Sequence, residues 1–574
     1  MKNMKKTCAL LLTALLLLLV SCPDATEGPD NNNGPKTLTG IAVTTPPTKV
    51  VYNLNEMFDS TGMVVTASYS DGSKVVVPNS GCSITGFSST TEGKKTITVT
   101  YQGKPTTLTV TVINTWNEWL ASKYNKSFGW DSNNGLGGLK APITHNMLAE
   151  EYFFAKGLNA GWNLGNTYDL NANPRANDAN SNYDKVMAGI KATGINVIRM
   201  PVTWNSNSSG SGANTVINSA WLDNVEAAVT AAHTAGLVVF INTHHDKSFF
   251  NLNQSGESLI ADSTGNGADF VNYTERFKAV WGQIAERFKD YGDWLLFEAL
   301  NEPTITVGGA VQWDGAPPAY HEVLNRWCQA FVDTVRATGG NNEKRYLIFK
   351  SYAGKLQTSL NPANGFRVPT DPSGPGRLVY SFHSYVPQPL GLEGTSTNWN
   401  STSASQYISA FSQASDAYLK KGIPVFMGET GGTFHSQRTG ADSITANRNR
   451  LLMFNAMGFY ARSYGVIPCL WDNGEATHSG GNQPNGETFA MFRRKTAHDN
   501  DTNNWGKTID HTKVNGGSAV DSTGGAVMRA GNAAYEDSEF GAYTVKAFVD
   551  AVNGRAPLGT PELSPKLTEL YNNQ

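Results

Sequence analysis

Ten side chains in this 574-residue sequence are of the kinds that move protons or hold a sugar, and each falls at the end of an apolar run. In chain order they are Asn163, Arg199, His244, His245, Asn301, Glu302, His383, Tyr385, Glu429 and Trp471. Two carboxylates stand out, because a carboxylate removed from water is costly unless it is paired. A cation such as Arg199 beside one of them would hold it ionised. The other, in a drier and less compensated spot, would be raised in pKa and could act as an acid. One protonated acid for a leaving oxygen and one ionised carboxylate to attack an acetal carbon or activate water are what glycoside hydrolysis requires. Trp471 could supply the apolar floor under a sugar ring.

Each of these residues also has a plainer reading. Arg199 could be a structural ion pair and Trp471 could be core, as most Trp residues are largely buried. His244 and His245 could be metal ligands, but neighbouring residues on a strand point to opposite faces, and no HExxH or third ligand is evident. No metal or cofactor is therefore expected. Asp246, Asp472 and Glu298 read as structural, while Trp204, Trp313 and Trp399 lie in or near loops and are candidate outer sugar platforms.

The elements that must position these residues alternate between two periods. Apolar, β-rich runs occur at 161–165, 197–201, 238–242, 295–301, 346–350, 378–383, 425–428 and 466–471. Between them, apolar residues recur near every 3.6 positions at 183–193, 220–235, 273–289, 320–338, 405–420 and 444–463, with a further helix expected at 543–552. Eight such strands with intervening helices predict an α/β fold, a (β/α)8 barrel over 143–556. The strands' C-terminal ends then converge on one face. The rival doubly wound sheet usually carries a Gly-rich phosphate turn after its first strand, and GWNLGN at 161–166 is not one.

The chain before the barrel has a different grammar. Lys2, Lys5 and Lys6 precede an apolar run at 9–20, which is too short to span a bilayer of ~30 Å and reads as a signal peptide. Its ending LVSC resembles the bacterial lipobox, so 1–21 is expected to be cleaved and Cys22 lipidated. A plain secretory signal with an incidental Cys is the alternative. Residues 22–36 read as a flexible tether rich in Gly, Pro and Asn. From 37 to 113, period-two runs such as MVVTASY and TITVTY alternate with the turns DG and QG, predicting about seven strands in a small all-β sandwich. This stretch resembles the bacterial Ig-like modules of surface proteins and, lacking an aromatic platform, reads as a spacer. Residues 114–142 are a connector matching neither module, and 557–574 a C-terminal tail.

Composition narrows the partners. With 45 Lys and Arg against 48 Asp and Glu, nothing supplies the concentrated basic surface that nucleic acid demands. Loss of the three signal lysines takes the net charge from −3 to −6. Only 16% of residues are charged, which suits a secreted protein meeting an uncharged, hydroxylated ligand. Cys82, Cys328 and Cys469 are far apart, so they read as buried structural thiols rather than a disulfide framework.

Seven motifs, in order over about 400 residues, resemble glycoside hydrolase family 5, the cellulase family: GWNLGNT at 161–167, IRMPVTW at 198–204, NTHHD at 242–246, FEALNEP at 297–303, HSY at 383–385, GETG at 428–431 and LWDN at 470–473. The resemblance implies a retaining, endo-acting hydrolase of β-1,4-glucan, in which Glu302 after the fourth strand is the acid/base and Glu429 after the seventh the nucleophile. It also implies that Asn301 meets the sugar 2-hydroxyl and that Arg199 and Tyr385 hold Glu429. His383 would tune Glu302, His244 and His245 would contact substrate, and Trp471 would floor the site, with Asn163 as a further contact. A β-mannanase or xyloglucanase would keep the same residues, and a non-catalytic polysaccharide-binding lipoprotein is a more distant alternative. The expected setting is an exported, monomeric protein, held by lipid to a bacterial membrane at the cell surface or outer membrane. Two stretches depart from the family: 114–142, and a Gly- and Asn-rich insertion within 473–540, of which 500–504 reads as exposed loop.

Overall fold

The computed structural model describes residues 36–53, 57–89, 93–113, 116–125, 127, 129, 135–170, 183–246, 268–393, 396, 398–399, 401–433, 440–474, 489, 491–492 and 539–553. The expected signal peptide, Cys22, the loop at 500–504 and the tail at 557–574 lie outside them.

Among the described residues the N-terminal module has seven strands in two sheets. One sheet pairs Leu38–Thr45, Val64–Tyr69 and Lys74–Val77; the other pairs Val51–Asn53, Lys104–Ile113, Gly93–Tyr101 and Ser83–Thr85. Alternation decides which side chains are inside. Val65 and Ala67 are buried on one sheet and Ile97 and Val99 on the other, while the Thr residues between them remain partly exposed. The two sheets are those of the expected sandwich.

The barrel has eight parallel strands: β1 (Gly161–Asn163), β2 (Val197–Met200), β3 (Val238–Asn242), β4 (Leu295–Glu298), β5 (Leu347–Phe349), β6 (Leu378–His383), β7 (Val425–Thr430) and β8 (Val466–Leu470). They close in sequence order, β8 pairing with β1 through Leu470 and Trp162. Every residue of these strands is buried, as expected for parallel strands covered on both faces. Between and after them run α1 (Tyr183–Ala192), α2 (Ser219–Thr234), α3 (Ala268–Phe288), α4 (Pro318–Ala337), α5 (Leu356–Leu360), α6 (Ser401–Ala417), α7 (Gly440–Tyr464) and α8 (Glu539–Val552). The short α5 was not evident in the periodicity, because five residues do not complete two turns.

Helix α3 shows why these segments are helical. Phe270, Tyr273, Phe277, Val280, Trp281, Ile284 and Phe288 recur at three- and four-residue steps and are all buried. Cutting Phe277, fully buried, back to Ala would cost ~3–5 kcal/mol. Local signals set the ends: Asn218 accepts from Ala220 N to cap α2, and Pro318 occupies the first turn of α4. The connector is not without structure, since it contains the helix Trp116–Tyr124. A second helix, Ala149–Ala155, lies at the strands' N-terminal ends, where Phe153 packs 5.4 Å from the Phe426 ring and 6.0 Å from that of Tyr346. Cys328 and Cys469 are buried and free; Cys82 is also free but half-exposed, because it lies on the short 3-10 turn of the sandwich rather than within its core.

Two ladder ends matter for function. Strand β4 ends at Glu298, its last backbone bond to β5 running from Ala299 N to Ile348 O at 2.9 Å, and Leu300 to Glu302 then lead into the mouth. Strand β7 runs on to Thr430, and its register against β6 skips one residue: Phe382 faces Met427, then His383 faces Glu429. Gly428 is the extra residue of this bulge, and bulges re-aim side chains. A Cβ there would meet Ser381 Oγ at 2.6 Å and His383 Nε2 at 3.3 Å, so the position must be glycine for His383 and Glu429 to lie side by side.

Candidate active site

Arg199 on β2 is the hub of the barrel mouth. It has no exposed surface, yet its guanidinium meets four groups from three strands and their exits. Nη1 donates to Glu429 Oε1 at 2.7 Å and to Asn163 Oδ1 at 3.1 Å, and Nη2 donates to Asn301 Oδ1 at 2.7 Å. On its other edge Nε donates to Glu298 Oε2 at 2.8 Å. A planar fork with five fixed donors suits such a junction, which a point-like ammonium could not span. Burial alone would lower its pKa, but the charges of Glu298 and Glu429 outweigh that and raise it. Burial would likewise raise Glu298; the Arg199 charge, then that of Lys350, brings its carboxyl below the usual value.

The second oxygen of Glu429 accepts from Tyr385 Oη at 3.1 Å, so both of its oxygens are held. Glu302 sits opposite and is less buried, its Oε1 2.7 Å from His383 Nδ1. That nitrogen is also 3.5 Å from Glu429 Oε2, so His383 stands between the two carboxylates. One oxygen from each Glu and this nitrogen lie within 4.8 Å of one another. This proximity is compatible with the ~5–5.5 Å carboxyl separation of retaining enzymes, whereas inverting pairs stand ~6.5–9.5 Å apart. Burial, then the nearby charges of Lys350 and Arg199, push His383 well below the usual histidine value, so its ring is neutral.

The walls follow from the strand exits. Trp471 stacks parallel to His244, ring centroids 5.9 Å apart and 4° from coplanar. Gly165 lets it in, since a Cβ there would come within 2.8 Å of the indole. His244 is buried, with Nε2 3.3 Å from Asn301 Nδ2 and Nδ1 3.3 Å from Asn242 Nδ2. His245 lies at the rim, its side chain 45% exposed.

Three sequence expectations change. Asn163 is not a substrate contact: it is fully buried, and Nδ2 donates to the carbonyls of Gly428, Cys469 and Leu470 while Oδ1 accepts from Arg199, so it braces the mouth from beneath. Trp204 is core rather than platform, fully buried with Nε1 donating to Asn242 O; Trp399 is half-buried against Tyr407, and Trp313 is 43% exposed. His244 and His245 do not point apart, their rings meeting at 4.4 Å, because β3 ends at Asn242 and the alternation of a strand stops there. With Asp169 they form one of two groups with ligand atoms within 4.8 Å among the described residues, the other being Glu302, His383 and Glu429. Asp169 is already occupied, accepting from Asn166 N and Thr167 N.

Sequence reasoning undervalued three residues. Glu298 and Asn242 brace Arg199 and His244, Asn242 Nδ2 donating to Glu298 Oε2 at 3.0 Å. Lys350, at the end of β5, is buried with Nζ 3.1 Å from Glu298 Oε1 and also touches His383 Nε2. A Lys closing an otherwise apolar strand was the available signal.

A family model, "Cellulase (glycosyl hydrolase family 5)", matches residues 159–477, more than half of the chain. The chain belongs to glycosyl hydrolase family 5. A second model, "Bacterial Ig-like domain (group 3)", matches residues 45–112. Among curated relatives of this family 5 member, endoglucanase A of Ruminococcus albus is 32% identical over 349 residues, covering 59% of this chain and 86% of that protein. Endoglucanase A of Paenibacillus barcinonensis is 30% identical over 396 residues, covering 64% and 89%. Among solved structures, a family 5 lichenase from Caldicellulosiruptor sp. F32 aligns with a TM-score of 0.53 at 26% identity, over 72% of this chain and 97% of that one. A broad specificity endoglucanase from Ruminococcus champanellensis with bound cellotriose aligns at 0.51 and 26%, over 61% and 94%.

Proposed function

We propose that this family 5 hydrolase is an endo-acting retaining β-1,4-glucanase, with Glu302 as acid/base and Glu429 as nucleophile. The observation that carries the roles is the unequal treatment of the two carboxyls. Glu429 has one oxygen on the Arg199 guanidinium and the other on Tyr385 Oη, which suits a carboxylate held ionised and aimed. Glu302 is more exposed and shares its oxygen with a neutral His383. In the first step Glu429 attacks the anomeric carbon while the Glu302 proton passes to the departing oxygen, breaking the glycosidic bond and forming a glycosyl-enzyme ester. In the second, Glu302, now a carboxylate, takes a proton from water. The hydroxyl adds to the anomeric carbon and Glu429 leaves as carboxylate. Asn301, its Oδ1 taken by Arg199, presents Nδ2 to the sugar 2-hydroxyl; Trp471 lies under the ring, and His244 and His245 line the side.

The glucan assignment is supported by relatives named endoglucanase and lichenase. A mannanase or xyloglucanase would keep these residues, so the test is substrate choice. The purified protein is incubated with carboxymethylcellulose, lichenan, xyloglucan, xylan and mannan, and reducing ends and viscosity are followed. Faster release from the two β-glucans, with an early fall in viscosity, is expected; preferential release from mannan or xyloglucan, or none at all, refutes the assignment.

The reading extends to location. The LVSC ending supports lipidation of Cys22, and in this reading the tether and Ig-like module are a spacer between a bacterial membrane and a monomeric barrel. In cells fed radiolabelled palmitate the full chain should take up label, and Cys22→Ala should abolish it; an unlabelled wild-type chain would leave only a secretory signal.

A further inference from the structure

We propose that Lys350 is a positioning residue for the reaction: it fixes the tautomer of His383 and thereby the proton on Glu302. The proposal rests on the roles assigned above to Glu302 and Glu429. Lys350 closes β5 and is 1% exposed, with its ammonium between Glu298 Oε1 at 3.1 Å and His383 Nε2. An ammonium has three donors and no acceptor. Nε2 must therefore be the bare nitrogen of His383, and the ring hydrogen must sit on Nδ1, where it donates to Glu302 Oε1 at 2.7 Å. With Oε1 so engaged, the carboxyl proton is left to Oε2. A connected set of groups thus runs from Glu298 through Lys350 to a neutral His383 and on to Glu302, with Arg199 bridging Glu298 and Glu429 beside it.

Removing the ammonium would free His383 in two ways. The ring could take the other tautomer, turning a bare Nδ1 towards Glu302, or it could become imidazolium. An imidazolium beside Glu302 would favour its carboxylate and strip the acid of its proton. Burial brings Lys350 down to about 8, against the pull of Glu298, so it is charged at neutral pH. A purely structural role, neutralising Glu298, would involve neither His383 nor the leaving group, and that is the distinction the experiment uses.

Lys350→Met and Lys350→Gln are made in the full chain and assayed on phenyl and 2,4-dinitrophenyl β-cellobioside. Phenol needs a proton to depart and dinitrophenol does not. General acid catalysis is worth ~10²–10⁴-fold, so kcat/KM for the phenyl substrate should fall at least ~30-fold, and for the dinitrophenyl substrate less than ~3-fold. Equal losses on both overturn the proposal. In a His383→Gln background, Lys350→Met should add no further leaving-group dependence; an additive loss overturns it. Should both variants fail to fold, the wild-type protein labelled with 15N in histidine decides. His383 should appear as the Nδ1–H tautomer at neutral pH, and an imidazolium or Nε2–H tautomer overturns the assignment. A wild-type chain inactive on every glucoside would refute the functional reading instead, while the tautomer would still be read.

Discussion

Arg199→Met tests whether the mouth of this barrel is held by one buried cation. The wild-type guanidinium has no exposed surface and sits 2.7 Å from Glu298 Oε2 and 2.7 Å from Glu429 Oε1. Removing one partner of a buried ion pair costs ~3–5 kcal/mol, because the other charge is left uncompensated. Here Lys350 stays beside Glu298 and Tyr385 beside Glu429, which points to the lower part of that range. At about 2 °C per kcal/mol for a large domain, the Tm should fall by ~6–8 °C near neutral pH. The pH dependence carries the finer test. In the wild type Glu298 is held below its unfolded value, so its contribution is complete above the ordinary carboxyl range and is lost as pH falls through the lower folded value. In the variant, Lys350 is left to balance two buried carboxylates, and burial raises one of them. That carboxylate costs stability increasingly as pH rises past the ordinary value of about 4.3. The gap in Tm between wild type and variant should therefore widen from about pH 4 to pH 7 in calorimetric scans. A gap that does not change with pH, or one worth less than ~1 kcal/mol at neutral pH, would refute the reasoning.

Glu429→Ala should lose hydrolysis of glucans, and azide should restore turnover of an activated cellobioside as the α-glycosyl azide; Glu302→Ala should instead yield the β-azide. The swapped pattern, read by NMR of the products, would mean the roles are reversed. Asp246→Asn concerns stability alone. Burial raises the Asp246 carboxyl to about 7 against backbone N–H groups of Asn205 and Trp204 that pull it down. Because the folded value lies above the unfolded one, ionisation costs stability as pH rises from about 4 towards 7. The Asn variant should gain in Tm relative to wild type over that window, and a constant difference would contradict the assignment. Asn163→Ala removes the donor shared by three buried carbonyls, a change worth ~1–3 kcal/mol for each group left unsatisfied. It should lower Tm and kcat with little change in KM, whereas a sugar-contacting Asn163 would raise KM.

Much of the barrel was legible because period and chemistry agreed. Seven of the eight apolar runs ended in residues suited to moving protons or holding a sugar, the fifth offering only Lys350, and the parallel strands fell on all eight runs with only their ends displaced. The displacements have causes. After Glu298 only Ala299 N still bonds to β5, and the chain turns so that Asn301 reaches Arg199; at 428–430 a glycine bulge carries β7 two residues further than hydropathy suggests. Which side chains meet was less legible. Asn163 and Trp204 look like ligand contacts in sequence because polarity and aromaticity do not reveal whether a residue lies above or beneath the barrel mouth. Strand alternation would send the two histidines to opposite faces, but they lie two and three residues past the strand, where that rule no longer holds.

Lys350 shows the limit most clearly. As a residue type at a strand exit it suggests nothing in particular, since a lone lysine is most often a solvated charge. Its meaning comes from two partners on other strands and what the second reaches: Glu298, which makes its burial tolerable; His383, whose Nε2 receives it; and, beyond His383, Glu302 at Nδ1. A donor-only cation beneath an imidazole leaves the ring one neutral tautomer. The proton inventory of the site is thus set from below the cleft, by a residue that touches neither the sugar nor either catalytic carboxylate.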